Sequence, residues 1–279
     1  MDISKKLEKI ERLPTLPQIS QRILNALEEE VSAQKLEEII SEDQSLAARL
    51  LKLANSPIYR GAQPVTNLRQ AVVRLGTGEV RNVVLTAALK YMLKPTATYK
   101  KFDITRLWIH ALAVARAVYL LASEEGHPDP NTVYTAGLLH DIGRLAIAVF
   151  FPEEFLHILA LCEAKGISFH EAEKELGIDH AAIGAEVAAK WRFSEVLIEA
   201  IRWHHTPKNE QGLNQTAFLV FKADIVARIV GLSPEENFQK LPKWPAGLPL
   251  DKKILSKVVG ILKKEKDDLI ASWQDVLNA

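Results

Sequence analysis

The sequence predicts an all-α protein made of many helices. Apolar residues recur at the three- and four-residue spacing of an amphipathic helix along most of the chain, for example at Ile19, Ile23 and Leu27. No segment before Pro95 shows the sustained apolar and polar alternation that is typical of a strand. The hydrophobic fraction of 48% and the charged fraction of 25% are those of a folded globular protein. A chain of 279 residues is long enough for two subdomains or for one large helical domain.

The first part of the chain is predicted to contain five helices. They are expected to begin near Pro17, Ser32, Ser41, Asn67 and Glu79. Ser41 with Gln44 forms a capping-box pattern for the third helix, because a serine followed three residues later by glutamine can satisfy free backbone N–H groups. Gly76 and Gly78 provide a break between the fourth helix and the fifth, which is expected to end at Met92.

The remainder of the chain is predicted to be helical as well. After a joint at 95–102, helical patterns cover residues 104–123, 131–148, 151–165, 168–176, 180–191, 194–203 and 215–230. The proline-rich stretch 241–250 is predicted to be a linker, and 252–277 a final amphipathic helix that packs within the chain or, as the alternative, pairs with a second subunit. We therefore expect an N-terminal helical subdomain at 1–98, a second helical subdomain at 99–232, and a linker with a C-terminal helix at 233–279.

Composition excludes several classes of protein. Lys plus Arg and Asp plus Glu both number 35, so no net charge favours nucleic acid or an anionic membrane as a partner. The N-terminus lacks the apolar region of a secretory signal, and the longest apolar run, at 145–151, is too short to cross a bilayer. Cys162 stands alone, which excludes an internal disulfide and a cysteine-built zinc site. These observations predict a cytoplasmic protein.

The most informative motif for chemistry is the pair His140-Asp141, which follows an apolar stretch and precedes Gly143. Histidine offers a neutral nitrogen, and aspartate offers a carboxylate that can bridge two ions, so the pair suits a metal site with a phosphate ligand. Further histidines and an aspartate stand on or beside other apolar helices, at His110, His180, His204, His205 and Asp224. Burial of so many polar groups costs free energy unless each finds a partner, and a shared ion would satisfy several at once. The alternative for any one of them is a core histidine that is hydrogen-bonded to a backbone carbonyl.

The chain resembles the HDOD branch of the HD superfamily of metal-dependent phosphohydrolases, which is related to HD-GYP proteins and found in bacterial signalling. The resemblance lies in three sets of residues and spans roughly residues 10–230. The first comprises Leu-Pro-Thr-Leu-Pro at 13–17, Glu-Asp-Gln-Ser-Leu-Ala-Ala-Arg-Leu-Leu-Lys-Leu-Ala-Asn-Ser at 42–56 and Gln-Ala-Val-Val-Arg-Leu-Gly at 70–76. The second is Gly-Leu-Leu-His-Asp-Ile-Gly at 137–143, and the third comprises 179–191 with Ala-Ile-Arg-Trp-His-His-Thr-Pro at 200–207.

This resemblance implies an all-helical fold, in which an N-terminal helical subdomain packs on an HD-like helical core that carries the metal site. The positions that match the metal ligands of relatives that hydrolyse cyclic dinucleotides are His110, His140, Asp141, His180, His204, His205 and Asp224. Asp141 would be the bridging carboxylate, and the histidines would hold one ion each. The site would take one or two divalent ions, with iron, manganese, zinc or magnesium as candidates. A water between the ions would attack phosphorus, so Asp141 and the phosphate-contacting Arg144 are the candidate catalytic residues.

The sequence departs from the pattern of the active relatives at three places. Arg106 stands where they place a glutamate ligand, one helical turn before the first histidine, and Arg144 replaces their phosphate-contacting lysine. The double histidine is followed by Thr206 and Pro207 instead of a glutamate, and the Gly-Tyr-Pro segment is missing. Arginine cannot ligate a metal, although it can bind phosphate in bidentate fashion.

Two function hypotheses follow from the resemblance, and a third from a local pattern. The first is a bacterial signal-transduction protein that acts through a protein partner or a nucleotide, with a divergent metal or phosphate site. The second is an active metal-dependent phosphohydrolase or phosphodiesterase on nucleotides or cyclic dinucleotides. The third treats 68–89 as a DNA-binding helix-turn-helix with Arg69, Arg74 and Arg81, against which the apolar Val83 and Val84 favour two ordinary packed helices. The expected partners are therefore signalling proteins, a nucleotide or a second copy of the chain, and neither nucleic acid nor a membrane.

Overall fold

The protein is all-α, as the sequence predicts. In the computed structural model, which describes residues 17–92, 103–210, 212–234 and 241–278, the helices are α1 Gln18–Glu28, α2 Ala33–Ile40, α3 Gln44–Ala54, α4 Leu68–Met92, α5 Ile104–Glu124, α6 Pro130–Leu139, α7 Ile142–Phe150, α8 Pro152–Lys165, α9 Phe169–Glu175, α10 His180–Lys190, α11 Glu195–Trp203, α12 Gln215–Ile229 and α13 Lys252–Asn278. Two short antiparallel strands that the sequence analysis missed, β1 Lys208–Asn209 and β2 Gly212–Leu213, form a hairpin before α12. The predicted joint at 95–102 and the start of the chain, including the motif at 13–16, lie outside the described residues.

The chain divides into two compact units. The N-terminal unit comprises the described residues within Pro14–Lys94 and Lys264–Ala279, and the other unit comprises those within Pro95–Lys263. We call the latter the histidine unit, because it holds all the candidate metal ligands. The final helix α13 contributes residues to both units, and its side chains Val258, Leu262 and Trp273 are fully buried, as packing within the chain predicts.

The N-terminal unit contains helices α1 to α4. The glycine break predicted between the fourth and fifth helices is a kink within α4, where Gly76 has φ 76° and ψ 166°, a conformation that favours glycine. Beyond the kink, Val80, Val83 and Val84 are completely buried. Their burial is what two ordinary packed helices predict.

One predicted helix cap is wrong. Asp43, and not Ser41, caps α3, because its side chain accepts a hydrogen bond from the Leu46 backbone N–H at 3.0 Å. Ser41 instead ends α2 and donates its hydroxyl to the Glu38 carbonyl at 2.8 Å. Asp43 has the extended backbone that an N-cap requires, with φ −118° and ψ 102°, whereas the backbone of Ser41 is helical.

The prediction of a single helix at 131–148 is also wrong, because the structure divides this stretch into α6 and α7. Asp129 caps α6 through the Thr132 N–H at 3.0 Å, and the helix ends at Leu139. Asp141 has φ −96° and ψ 11°, outside helical geometry, and α7 starts with the next residue. The break therefore falls on the His-Asp pair and turns both side chains away from a continuous helix surface.

Helices α7 and α10 pack so closely that the backbone of one contacts the backbone of the other. A Cβ atom placed on Gly143 would lie 1.8 Å from the carbonyl oxygen of His180 and 2.9 Å from the amide nitrogen of Gly184. No residue with a side chain can occupy such a position. The glycine of the motif therefore serves to bring the start of α10, with His180, next to the pair at 140 and 141.

Two stretches of the histidine unit are long and apolar enough to span a membrane by length and composition alone. They are Ile104–Glu124 and Thr132–Phe150, of which 61% and 89% of the most apolar window is buried inside the protein. The second stretch includes the break between α6 and α7. Both are consistent with core helices of a soluble protein.

Candidate metal centre

The structure brings the predicted metal ligands together in the interior of the histidine unit. His110 lies in the middle of α5, Asp224 lies on α12, and His180 is the first residue of α10. The pair at 140 and 141 stands at the break between α6 and α7, and the double histidine at 204 and 205 follows α11. All these side chains are buried except His205, which is partly exposed.

Asp141 lies at the centre of the cluster and presents one oxygen to each of two histidine sets. Its Oδ1 is 3.1 Å from Nε2 of His180 and 3.9 Å from Nε2 of His204. Its Oδ2 is 3.5 Å from Nε2 of His140 and 3.9 Å from Nε2 of His110. This is the arrangement expected of a carboxylate that bridges two metal ions.

The ligand atoms of each set converge within the span of one metal ion. Those of Asp141, His180, His204 and His205 all lie within 4.8 Å of one another, as do those of His110, His140 and Asp141. We call the first group set A and the second set B. Asp224 extends set B, since its Oδ1 is 3.2 Å from Nε2 of His110.

Hydrogen bonds to the outer nitrogens fix the tautomers of the histidines. Nδ1 of His110, His140 and His204 lies 2.6 to 2.7 Å from the carbonyl oxygens of Leu232, Gly137 and Ile201, respectively. A carbonyl oxygen only accepts, so each Nδ1 must carry the proton, and the neutral ring then directs the lone pair of Nε2 toward the centre of the cluster. This use of the outer nitrogen is typical of metal-ligating histidines.

Glu173 has the same role for His180, and the sequence analysis missed it. Its Oε1 lies 2.6 Å from Nδ1 of His180 and 3.0 Å from Nδ1 of His170, and its side chain is fully buried. In many metal sites a carboxylate accepts a hydrogen bond from one nitrogen of a histidine whose other nitrogen binds the metal. In the sequence Glu173 is one of three glutamates on the short helix α9, and nothing in that pattern separates it from its exposed neighbour Glu175.

The electrostatics of the cluster favour carboxylates that are charged and histidines that are mostly neutral. Burial alone would raise the pKa of Asp141, but Arg144, His140 and His180 hold it well below the ordinary value. For Asp224, burial is likewise outweighed, mainly by Arg228, and the pKa is lowered. Burial lowers the pKa of His140 to about 4 and that of His204 well below 6.5. These are the protonation states that divalent metal binding requires.

His180 is the exception among the histidines. Burial lowers its pKa, but the charge of Glu173 and the close approach of the ring to the Asp141 and Glu173 carboxylates outweigh burial and raise it to about 9. Its Nε2 lies 3.3 Å from Nε2 of His204 and 3.1 Å from Nε2 of His205. The raised pKa favours a protonated His180 in the metal-free protein, beside the ring nitrogens of set A.

The donor set fits a divalent metal. Among the described residues, neither carboxylate oxygen of Asp141 has a hydrogen-bond partner of good geometry, and the same is true of Nε2 of His110, although all three atoms are buried. Buried polar atoms of this kind cost free energy unless an ion or a water binds to them. Imidazole nitrogens with carboxylates are suited to zinc, iron or manganese.

The two predicted arginines lie in different places relative to this cluster. Arg144 is buried, with Nε 3.0 Å from Oδ1 of Asp141 and its guanidinium carbon 4.8 Å from the centre of the Phe169 ring. It is thus held beside the candidate metals, where a phosphate contact is possible. Arg106 is partly buried one turn before His110, and it supplies no ligand to either set.

We expect the metal-free protein to lose stability as the pH rises from 6.5 through about 9. The pKa of His180 is 6.5 when unfolded and about 9 in the folded protein, so its stabilisation is complete below 6.5 and is lost as pH rises through the folded value. The loss in the free energy of unfolding should be on the order of a few kcal/mol. Urea unfolding of chelator-treated protein across this range measures it. His180→Gln should remove most of this decline; an equal decline in that variant would contradict the assignment.

Comparisons with known proteins agree with this fold. The model of the HDOD domain family matches residues 13–207. A candidate phosphohydrolase from Shewanella amazonensis SB2B is 28% identical with a TM-score of 0.76, over 97% of each chain. A candidate signal-transduction protein from Marinobacter aquaeolei VT8 is 25% identical with a TM-score of 0.81, over 99% of this chain and 65% of that one.

Among the curated relatives, Ribonuclease Y of Clostridium kluyveri is 36% identical over 118 residues, which are 42% of this chain and 17% of that protein. The chain spans less than half of the length of the first curated relatives that it matches.

Proposed function

Because the chain belongs to the HDOD domain family, we propose that it is a bacterial signal-transduction protein whose histidine unit binds divalent metal and a phosphate-bearing ligand such as a nucleotide. A partner protein in the cytoplasm would then bind the ligand-bound form and the ligand-free form with different affinity. The observation that carries the proposal is the placement of sets A and B on the two oxygens of one buried aspartate. Two ions held in this way form a strong binding site for phosphate oxygens.

Arg144 adds a reason to expect phosphate. Its Nε pairs with Asp141, and its side chain also lines a pocket next to set A. Arginine recognises phosphate through several N–H donors at once. A ligand that reaches the metals would therefore meet a fixed cation in the same place. The similar signal-transduction protein of Marinobacter supports the regulatory part of the proposal.

The second candidate function is hydrolysis of a phosphodiester. It is favoured by the presence of all seven candidate ligands, which a purely structural role does not require, and by the similarity to Ribonuclease Y and to the Shewanella candidate phosphohydrolase. Bound divalent ions would lower the pKa of a water and offset negative charge on the phosphoryl oxygens. The chain itself would orient the phosphate through Arg144 and hold His180 through Glu173.

The test measures metal and phosphate binding together. We expect protein purified without chelator to contain zinc, iron or manganese by elemental analysis, and to bind inorganic phosphate at least about tenfold more tightly than chelator-treated protein in calorimetry. Absence of metal even after incubation with excess ion would contradict both candidate functions.

Hydrolysis assays separate the two candidates. Metal-dependent turnover of bis(p-nitrophenyl) phosphate, of a cyclic dinucleotide or of a short RNA at about 1 s⁻¹ or faster would establish the second function and overturn the first. Metal-dependent binding without such turnover would support the signalling role.

A further inference from the structure

A basic pocket of about 280 Å³ lies beside set A in the histidine unit. Four cationic side chains and two histidines line it: Arg144, Lys174, Arg228, Lys243, His170 and His205. Among the residues that the structure describes, Glu171 is the only carboxylate in its lining. This carboxylate is already used in the cap of α9, where its Oε2 accepts hydrogen bonds from the backbone N–H and the hydroxyl of Ser168, both at 2.9 Å.

The two arginines of the pocket connect it to the metal ligands. Arg144 pairs with Asp141 at 3.0 Å, and Arg228 pairs with Asp224 at 2.8 Å, both through Nε. Both arginines are more than nine-tenths buried. In the metal-bound protein, the ions would neutralise the two aspartates. The field of the pocket would then be strongly positive, with the arginines held in place by the same carboxylates that hold the metals.

The pocket is contiguous with set A, because His205 belongs to both. The ring of His205 stacks on that of His170, with centroids 3.8 Å apart and an interplanar angle of 23°. A ligand group bound at set A would therefore lie next to the pocket.

The outer wall of the pocket is a fixed part of the structure, although it comes from the proline-rich segment 241–250. Trp244 of this segment packs against Phe218 and Phe221 of α12, with ring centroids 5.7 and 5.8 Å apart. Its indole N–H also donates to the carbonyl oxygen of Leu248 at 3.2 Å. These contacts hold the backbone next to Lys243, which lines the pocket together with Lys174 of α9.

We propose that this pocket is a second anion subsite, which selects ligands with two adjacent phosphate groups by binding the phosphate that does not contact the metals. The proposal rests on the proposed function, and it adds the class of ligand: a pyrophosphate-type compound such as a nucleoside diphosphate or triphosphate. Lys174 and Lys243 are exposed and contact neither ligand set, so they determine affinity for the second phosphate without holding metal.

The test compares methylenediphosphonate, a non-hydrolysable analogue of pyrophosphate, with inorganic phosphate by calorimetry on metal-loaded protein. Wild type should bind the diphosphonate at least about tenfold more tightly than phosphate. The double variant Lys174→Ala/Lys243→Ala should lose about tenfold in diphosphonate affinity and less than about twofold in phosphate affinity. Elemental analysis after each titration shows whether the diphosphonate has removed metal.

A matched control is Lys252→Ala/Lys253→Ala, which removes the same charge from two exposed lysines outside the pocket. It should leave both affinities unchanged. Equal loss in the two double variants, or no loss in either, would overturn the subsite while leaving metal-dependent phosphate binding in place. Diphosphonate binding that depends on the pocket lysines in a protein that takes up no metal would retain the subsite and overturn the proposed function.

Discussion

Replacement of Asp141 by alanine is expected to abolish metal binding at both ligand sets. Each oxygen of Asp141 faces one set, so the substitution removes a ligand from two ions at once. Loss of an outer partner of a metal ligand typically costs about 10- to 100-fold in metal affinity, and loss of a shared ligand should exceed about 100-fold. Elemental analysis after dialysis against a defined metal buffer measures the change.

The same substitution should lower the stability of the metal-free protein. Arg144 and the protonated His180 would remain buried without the carboxylate that neutralises them. Breaking a buried ion pair in this way costs about 3–5 kcal/mol. Asp141→Asn keeps the shape and provides a second variant in case the alanine protein does not fold, while Asp267→Ala, an exposed carboxylate on α13, is the control. Retention of both ions in Asp141→Asn would show that the carboxylate does not bridge them.

The sequence predicted most helices because their apolar stripes are regular, and it failed where burial hides the pattern. Residues 142–148 are buried on every side, so α7 has no polar face to mark its beginning, and the periodicity continues from α6 without interruption. The break at Asp141 depends instead on the contact between α7 and α10. Such a contact between distant parts of the chain leaves no local signal except the glycine itself.

The candidate ligands and the bridging role of Asp141 were predictable from the resemblance, but the division of the histidines between its two oxygens was not. Chemistry and family resemblance single out the histidines and the two aspartates, and the structure shows that the two sets share Asp141 through different oxygens. Glu173 was not predictable, because only the fold reveals that it faces inward from α9. The same holds for Lys243, whose linker has a defined position only because Trp244 packs on α12.

Substitution of Gly143 by alanine is expected to be among the most destabilising single changes in the chain. The new methyl group would overlap the backbone of α10 at His180, which cannot move aside as a side chain could. Helices α7 and α10 would have to separate, which should cost more than about 4 kcal/mol in the free energy of unfolding. Because the separation moves His180 away from Asp141, any folded protein should also bind metal more weakly.

Two other glycines allow this effect to be separated from the general effect of adding a methyl group. Gly260 on α13 has no atom within 4 Å of the new position, so Gly260→Ala should stabilise the protein by about 0.5–1 kcal/mol through helix propensity. At Gly184 the nearest atom, 3.0 Å away, is a methyl group of Ile201, and we expect an intermediate loss of about 1–3 kcal/mol. Urea unfolding and metal analysis of the three variants rank them. If Gly143→Ala were as stable as wild type and bound metal normally, the contact between α7 and α10 could not be what positions His180 at the centre of set A.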